Sequence, residues 1–272
     1  MFIGHWAPAL IAASRRKSAG IATLFIAAQL VDWIFFALVL GGYEKLRFTP
    51  GISAMNPLDL YHMPYTHSLM GTLVIAGLFA WLVWGVLRDR QIALIAGAVV
   101  VSHWFLDLLV HVPDLTLWGQ PPKLGLGLWN HPWIEIPLEL GITLGALWFY
   151  WNRRRPGTSK VAMLALVLVV LQAINWLAPV ENEVTSGVSL LAFTGYTLAT
   201  LTAWWWGKAR AKHAVHASAS RARALRARSC QKQPARSPPM SSPLTACPRR
   251  NTPACSTRWG VNPTWSSWAS SR

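Results

Sequence analysis

The sequence is short of charge, and the little it has is unevenly placed. Only 13% of its 272 residues are Asp, Glu, Lys or Arg, against roughly 25% in an ordinary soluble domain. Acids are missing altogether from residues 208–272, where 13 of the 25 basic residues lie. Residues 1–207 carry the other 12 against all 10 acids, a net of +2. The formal +15 therefore belongs to the tail, and it does not make the chain a specific nucleic-acid binder. Cysteine is almost absent. Cys230, Cys247 and Cys255 all lie in the tail and form no CxxC pair, which argues against thiolate zinc and a disulfide-built core. There is no Gly-rich phosphate loop, no G-x-S-x-G elbow and no internal repeat. Arg15, Arg16 and Lys17 follow the first apolar run instead of preceding it, so the N-terminus does not read as a secretory leader.

What is there is long apolar runs. Six are long enough for the roughly 20 residues that cross a bilayer: 20–42, 66–87, 91–112, 132–152, 161–179 and 187–207. A shorter run, 2–14, precedes them and reaches only part-way, about 21 Å as a helix. Arg15 to Lys17, Arg88 and Arg90, Arg153 to Arg155 with Lys160, and the tail fall on one side, which is assigned to the cytoplasm. Loops 43–65 and 113–131 then face outward. The reading is an all-α polytopic transmembrane bundle over 1–207, with six full spans and a short N-terminal helix. Residues 208–272, rich in Ala, Arg, Ser and Pro, read as a disordered tail with its end in the cytoplasm. That tail suits either a basic lipid-attracting arm or a translated frameshift, and its composition favours the second.

Ionisable groups interrupt these runs. The stretch "VVVSHWFLDLLVHVPD" (99–114) is apolar enough to span, yet holds His103, Asp107, His111 and Asp114. Such residues are rare at membrane depth and face a bundle interior or a water-filled cavity. Counting from the cytoplasmic charges at about 1.5 Å per residue places Asp32 at about 22 Å, His103 and Asp107 at about 20 and 26 Å, and Glu139 and Glu135 at about 21 and 27 Å. His5 falls at about 15 Å, and His67, His111 and His131 at about 31 Å. Helices running in opposite directions thus put their polar groups in one outward-opening layer. His103 and Asp107 share a helix face at i and i+4, as do His131 and Glu135. Imidazole and carboxylate together suit zinc or a similar divalent ion, and a carboxylate not used as a ligand can act as general base. Each group alone reads more simply as a packed, hydrogen-bonded side chain; it is their coincidence in depth that points to a metal. Asp59, Asp89, Glu44, Glu181 and Glu183 fall in loops and read as solvated.

Two segments carry a resemblance. "HMPYTHSLM" (62–70) is similar to the H-R-G-x-T-H-S segment of the YdjM-like inner-membrane metal-dependent hydrolases, with Met63 and Pro64 in place of Arg and Gly. "SHWFLDLLVH" (102–111) is similar to their S-H-x-x-x-D helix, and His5 in "GHWAPAL" and Asp32 fall where that family has its early His and Asp. The resemblance covers about 1–150 and implies a metal-dependent hydrolase of a bacterial inner membrane. The ligand order also resembles that of zinc-dependent phospholipase C and the single-strand nucleases. It implies metal ligands His5, Asp32, His67, His103, Asp107, His111, His131 and Glu135, with Asp107 bridging metals and Glu139 a substitute ligand. The expected activity is hydrolysis of a lipid or other phosphoester, with Asp107 and Glu139 as catalytic carboxylates, Lys123 steadying developing charge, and Tyr65 and Asp114 touching substrate. A transporter or proton relay through Asp32, Asp107 and Glu139 is the alternative, and a scaffold whose polar groups only join helices is a third.

Overall fold

A computed structural model describes residues 1–177 and 186–206, all within one unit, Met1–Ala222. A 3-10 turn, Ile3–His5, runs into α1, Trp6–Ala13. Then come α2 (Ile21–Leu40), β1 (Lys45–Phe48), β2 (Leu58–His62), α3 (Leu69–Leu87), α4 (Arg90–Val110), a second 3-10 turn at Leu128–Asn130, α5 (Pro132–Arg154) and α6 (Thr158–Leu177). Helix α7 covers 186–206.

The described chain is predominantly helical, and α2, α3, α4 and α6 are each long and apolar enough to cross a membrane. Helix α5 is as long, but carries Glu135, Glu139, Arg153, Arg154 and an internal Pro137. The expected tail, and the loop holding Glu181 and Glu183, lie outside the described residues. The apolar surface is turned outward. Trp81, Val86 and Leu94 are 68%, 73% and 71% exposed, an arrangement that water would penalise and lipid would not.

Local chemistry sets the helix ends. Ser68 caps α3, its hydroxyl accepting from the Gly71 amide at 3.0 Å. Asp89 caps α4, accepting from Gln91 and Ile92 at 2.9 and 3.2 Å. The Ile92 amide first, then that of Gln91 and the Lys17 ammonium, hold the Asp89 carboxyl below its usual range, against a smaller opposing cost of burial. Pro132 opens α5, where its missing N–H costs nothing.

The loop after α2 is not purely irregular. Strands β1 and β2 pair antiparallel, with Arg47 opposite Asp59 and a bulge between Lys45 and Arg47. In β1 Leu46 turns inward while Lys45 and Arg47 face out, the period of two of a one-sided strand, whereas in β2 Asp59 and Leu60 are both buried and Tyr61 and His62 both exposed. Asp59 is buried beneath its 2.6 Å bond from Arg47 Nε, so it is not the solvated loop acid expected. Helix α1 lies against α2 and α5. Trp6, Leu10, Leu24, Phe25 and Phe35 form the tightest part of the core, with the Trp6 Nε1–H bonded to the Phe25 carbonyl at 3.3 Å.

One glycine fixes how α3 meets the loop before it. A Cβ at Gly71 would stand 1.6 Å from the Tyr65 carbonyl oxygen, so no larger residue fits without moving backbone. Gly77, on the same helix, has open space around it. Gly71→Ala should cost about 1–3 kcal/mol and lower the thermal midpoint in detergent. Gly77→Ala should leave that midpoint unchanged or slightly raised, both read by tryptophan scanning fluorimetry.

Candidate metal centre

Asp107 is the point on which the polar side chains converge. It lies on α4, one turn after His103 and one turn before His111 at the helix C-cap. His103 Nε2 is 3.0 Å from Asp107 Oδ2, and His67 Nε2 is 3.6 Å from the same oxygen. His5 Nε2 is 3.0 Å and His111 Nε2 3.4 Å from Oδ1. Asp32, on α2, sets Oδ1 3.4 Å from both His67 and His103. The α-amino group of Met1 is 3.3 Å from Asp107 Oδ1. Asp32 is partly buried and the other five residues fully so. The His5 ring stacks on His103 at 3.8 Å between centroids.

Three of the four rings have Nδ1 held from behind. His103 Nδ1 lies 2.8 Å from the Ala28 carbonyl. A carbonyl only accepts, so Nδ1 carries the hydrogen, and in the neutral ring Nε2 presents a lone pair to the site. Thr66 donates its hydroxyl to Glu44 Oε2 at 2.6 Å, leaving its oxygen to accept from His67 Nδ1 at 2.9 Å. His111 Nδ1 is 3.0 Å from Asp114 Oδ1. Carboxylates and carbonyls behind imidazoles in this way fix the tautomer that binds a metal. The loop after α4 fastens His111 further. Its Leu126 and Gly127 amides donate to the Leu108 and His111 carbonyls at 2.8 and 2.7 Å, satisfying helix-end acceptors.

The front of the site is unsatisfied. His5 Nε2, His103 Nε2 and Asp107 Oδ2 are fully buried and make no hydrogen bond. At 3.0 Å from Asp107, the His5 and His103 nitrogens are close enough for one, but their N–H directions miss the oxygens. A proton on either nitrogen would be poorly shared, whereas a cation in front of several lone pairs would be shared by all. Two sets of donor atoms lie within 4.8 Å of one another: His5, His103 and Asp107, and Asp32, His67 and His103. These residues, with His111, suit a divalent metal.

Other expected site residues lie elsewhere. Glu135 is buried, and neither of its oxygens meets a hydrogen-bond donor. It lines a cavity of about 410 Å³ with Asp32, His67, Asp107 and His111. Glu139 lines it too, but its carboxylate is engaged. Oε1 accepts from the Phe2 amide and, at 3.0 Å, from the Gly4 amide, and Oε2 accepts from Gln172 Nε2 at 2.9 Å. His131 is exposed at the start of α5 and is not among the grouped donors. Lys123 is exposed, its Nζ 3.4 Å from the Tyr61 carbonyl, and Tyr65 is exposed. Asp114 is turned onto His111.

Some contributors were not visible in the sequence. Glu44, read as solvated, is 1% exposed and also accepts from the Tyr65 and Thr66 amides at 2.9 Å. Tyr196 of α7 donates its hydroxyl to Asp32 Oδ2 at 3.1 Å. Only the adjacency of Thr66 to His67, and the i,i+3 spacing of His111 and Asp114, hinted at a support layer. No family model, curated protein or solved structure matches this chain.

Glu139→Ala would strand three buried donors, each costing about 1–3 kcal/mol, and should sharply lower the melting temperature in detergent. Glu139→Gln keeps an oxygen for the two amides but sets its NH2 against the Gln172 NH2, so it should melt between the unmodified protein and Glu139→Ala.

Proposed function

We propose that this chain is an integral membrane protein of six full spans, with its C-terminus in the cytoplasm, that hydrolyses a phosphoester at an outward-facing metal site. What carries the reading is the convergence on Asp107 of four imidazole Nε2 atoms, three with Nδ1 held from behind. The resemblance to the YdjM-like inner-membrane hydrolases points the same way. Imidazole with carboxylate favours zinc. His5, Asp32, His67, His103 and Asp107, with His111 beside them, would hold the metal.

Bound zinc supplies Lewis acidity and a water whose pKa is lowered toward 7. The protein's part is to hold the ligands, keep the site largely dry and manage one proton. In our reading that last role belongs to Glu135, whose oxygens are uncommitted and face the cavity, and not to Glu139, which three donors hold. The water oxygen bonds to phosphorus as the P–O ester bond breaks. Glu135 takes the water's proton and returns it to the departing alkoxide. A proton-relay reading through Glu139 is weaker for the same reason: a carboxylate bonded on both oxygens is a poor shuttle.

Elemental analysis of the full-length protein in detergent, after zinc reconstitution, should find one to two equivalents of zinc, lost in His103→Ala and Asp107→Ala. Asp114→Asn and Glu44→Gln should stay folded but weaken zinc binding about 10–100-fold. Zinc occupancy should fall on acidification, because protons compete with the metal for the imidazole and carboxylate donors. Glu135→Gln should keep its zinc and lose about 10²–10⁴-fold in turnover. Absence of any transition metal after reconstitution would overturn the hydrolase reading.

A further inference from the structure

The cavity that holds the polar cluster is two-sided. One end is formed by Asp32, His67, Asp107, His111 and Glu135. Most of the remaining wall is hydrocarbon, from Phe35 and Phe36 on α2, the β2 hairpin, and the facing sides of α6 and α7. Its volume, about 410 Å³, lies in the ordinary range for a small-molecule site. A small soluble phosphoester would leave that wall uncovered.

The same wall reaches the outside of the bundle. Ile174 of α6 and Leu191 and Leu198 of α7 line the cavity, yet are 47%, 58% and 48% exposed. They therefore flank its mouth. In the orientation proposed above, α6 rises from the cytoplasmic Arg153–Arg155 cluster. Ile174, sixteen residues past the start of α6, then sits about 24 Å up the span, in the outer half. Leu191 of α7 lines the same cavity wall as Ile174. The mouth thus opens sideways, between two apolar helices, from the level of the outer leaflet's acyl chains to about 10 Å deeper at Leu198.

We infer that the cavity takes one long acyl chain of an outer-leaflet phosphoester lipid through the α6–α7 mouth, laying the chain on the apolar wall and setting the phosphoester against the Asp107 cluster. The inference rests on the hydrolase reading for the role of the polar end, and on the cavity alone for the chain. Phe35 gives it a distinct signature: it is 1% exposed and faces the cavity, so a lipid at the outer surface does not reach it.

The test uses the full-length protein in phosphatidylcholine vesicles with phosphatidylglycerol carrying a mid-chain diazirine, photolysed and mapped by mass spectrometry. Saturable labelling of Phe35 or Phe36 is expected, displaced by unlabelled long-chain phosphatidylglycerol and not by its dibutyryl analogue. Leu191→Trp, which fills the mouth, should cut that labelling on the order of tenfold while zinc content stays unchanged. Leu94→Trp, on an outward face of α4 away from the cavity, should label as the unmodified protein does. Labelling confined to outward residues such as Trp81 and Leu94, or labelling of Phe35 unaffected by Leu191→Trp, would overturn the proposal. Phe35 labelling without zinc or turnover would uphold the chain site and remove the hydrolase reading. Zinc-dependent hydrolysis of a soluble phosphoester without Phe35 labelling would do the reverse.

Discussion

A carboxylate buried among imidazole nitrogens in an apolar bundle is unstable unless something positive sits with it, and the fold is arranged around that constraint. Isolated charge in such surroundings is costly enough that groups neutralise, pair or bind metal. Asp107 has no hydrogen bond on Oδ2. The α-amino group of Met1 touches Oδ1 only. Three of the four rings around Asp107 are turned so that their Nδ1 edges are occupied, and the fourth, His5, has neither nitrogen hydrogen-bonded. A centre built for helix packing alone would reverse that priority, satisfying every buried polar edge inside the bundle.

The supporting contacts come from both inside and outside the membrane-like core. The Ala28 carbonyl that holds His103 belongs to α2, where a main-chain acceptor near Asp32 does two jobs on one helix. Glu44, by contrast, lies at the edge of the β1–β2 hairpin, and reaches His67 through the Thr66 hydroxyl. The short strands thus matter less as a sheet than as a bracket, carrying a carboxylate back over the mouth of the bundle. Tyr196 ties α7 to Asp32 in the same spirit, so a helix outside the donor cluster still restrains one of its side chains.

The four apolar spans were legible because twenty apolar residues leave few alternatives. His103 with Asp107 was legible from the helical period. Counting rise per residue also brought Asp32 to the right level, since α2 is unbroken. The method failed where the chain is not helical. His67 counts out near the surface, but Ser68 is the cap of α3, and the turn before it folds His67 inward beneath Trp104, whose Nε1–H holds the His67 carbonyl at 3.2 Å. His131 keeps the i,i+4 spacing to Glu135, but begins α5 with Pro132 directly behind it and stays exposed. Glu44 was beyond reach because its burial depends on a partner twenty-two residues later, which neither composition nor period encodes.

The order of the ligands along the chain has a consequence for synthesis. The five grouped residues and His111 all lie in the first 111 positions, on α2, α4 and the turns beside α1 to α4. Chains fold from the N-terminal side as they emerge, so the donor cluster is complete before α6 and α7 exist. The part of the cavity's hydrocarbon wall that α6 and α7 supply is therefore the last to arrive. During that interval the polar centre stands open on the flank that α6 and α7 later cover.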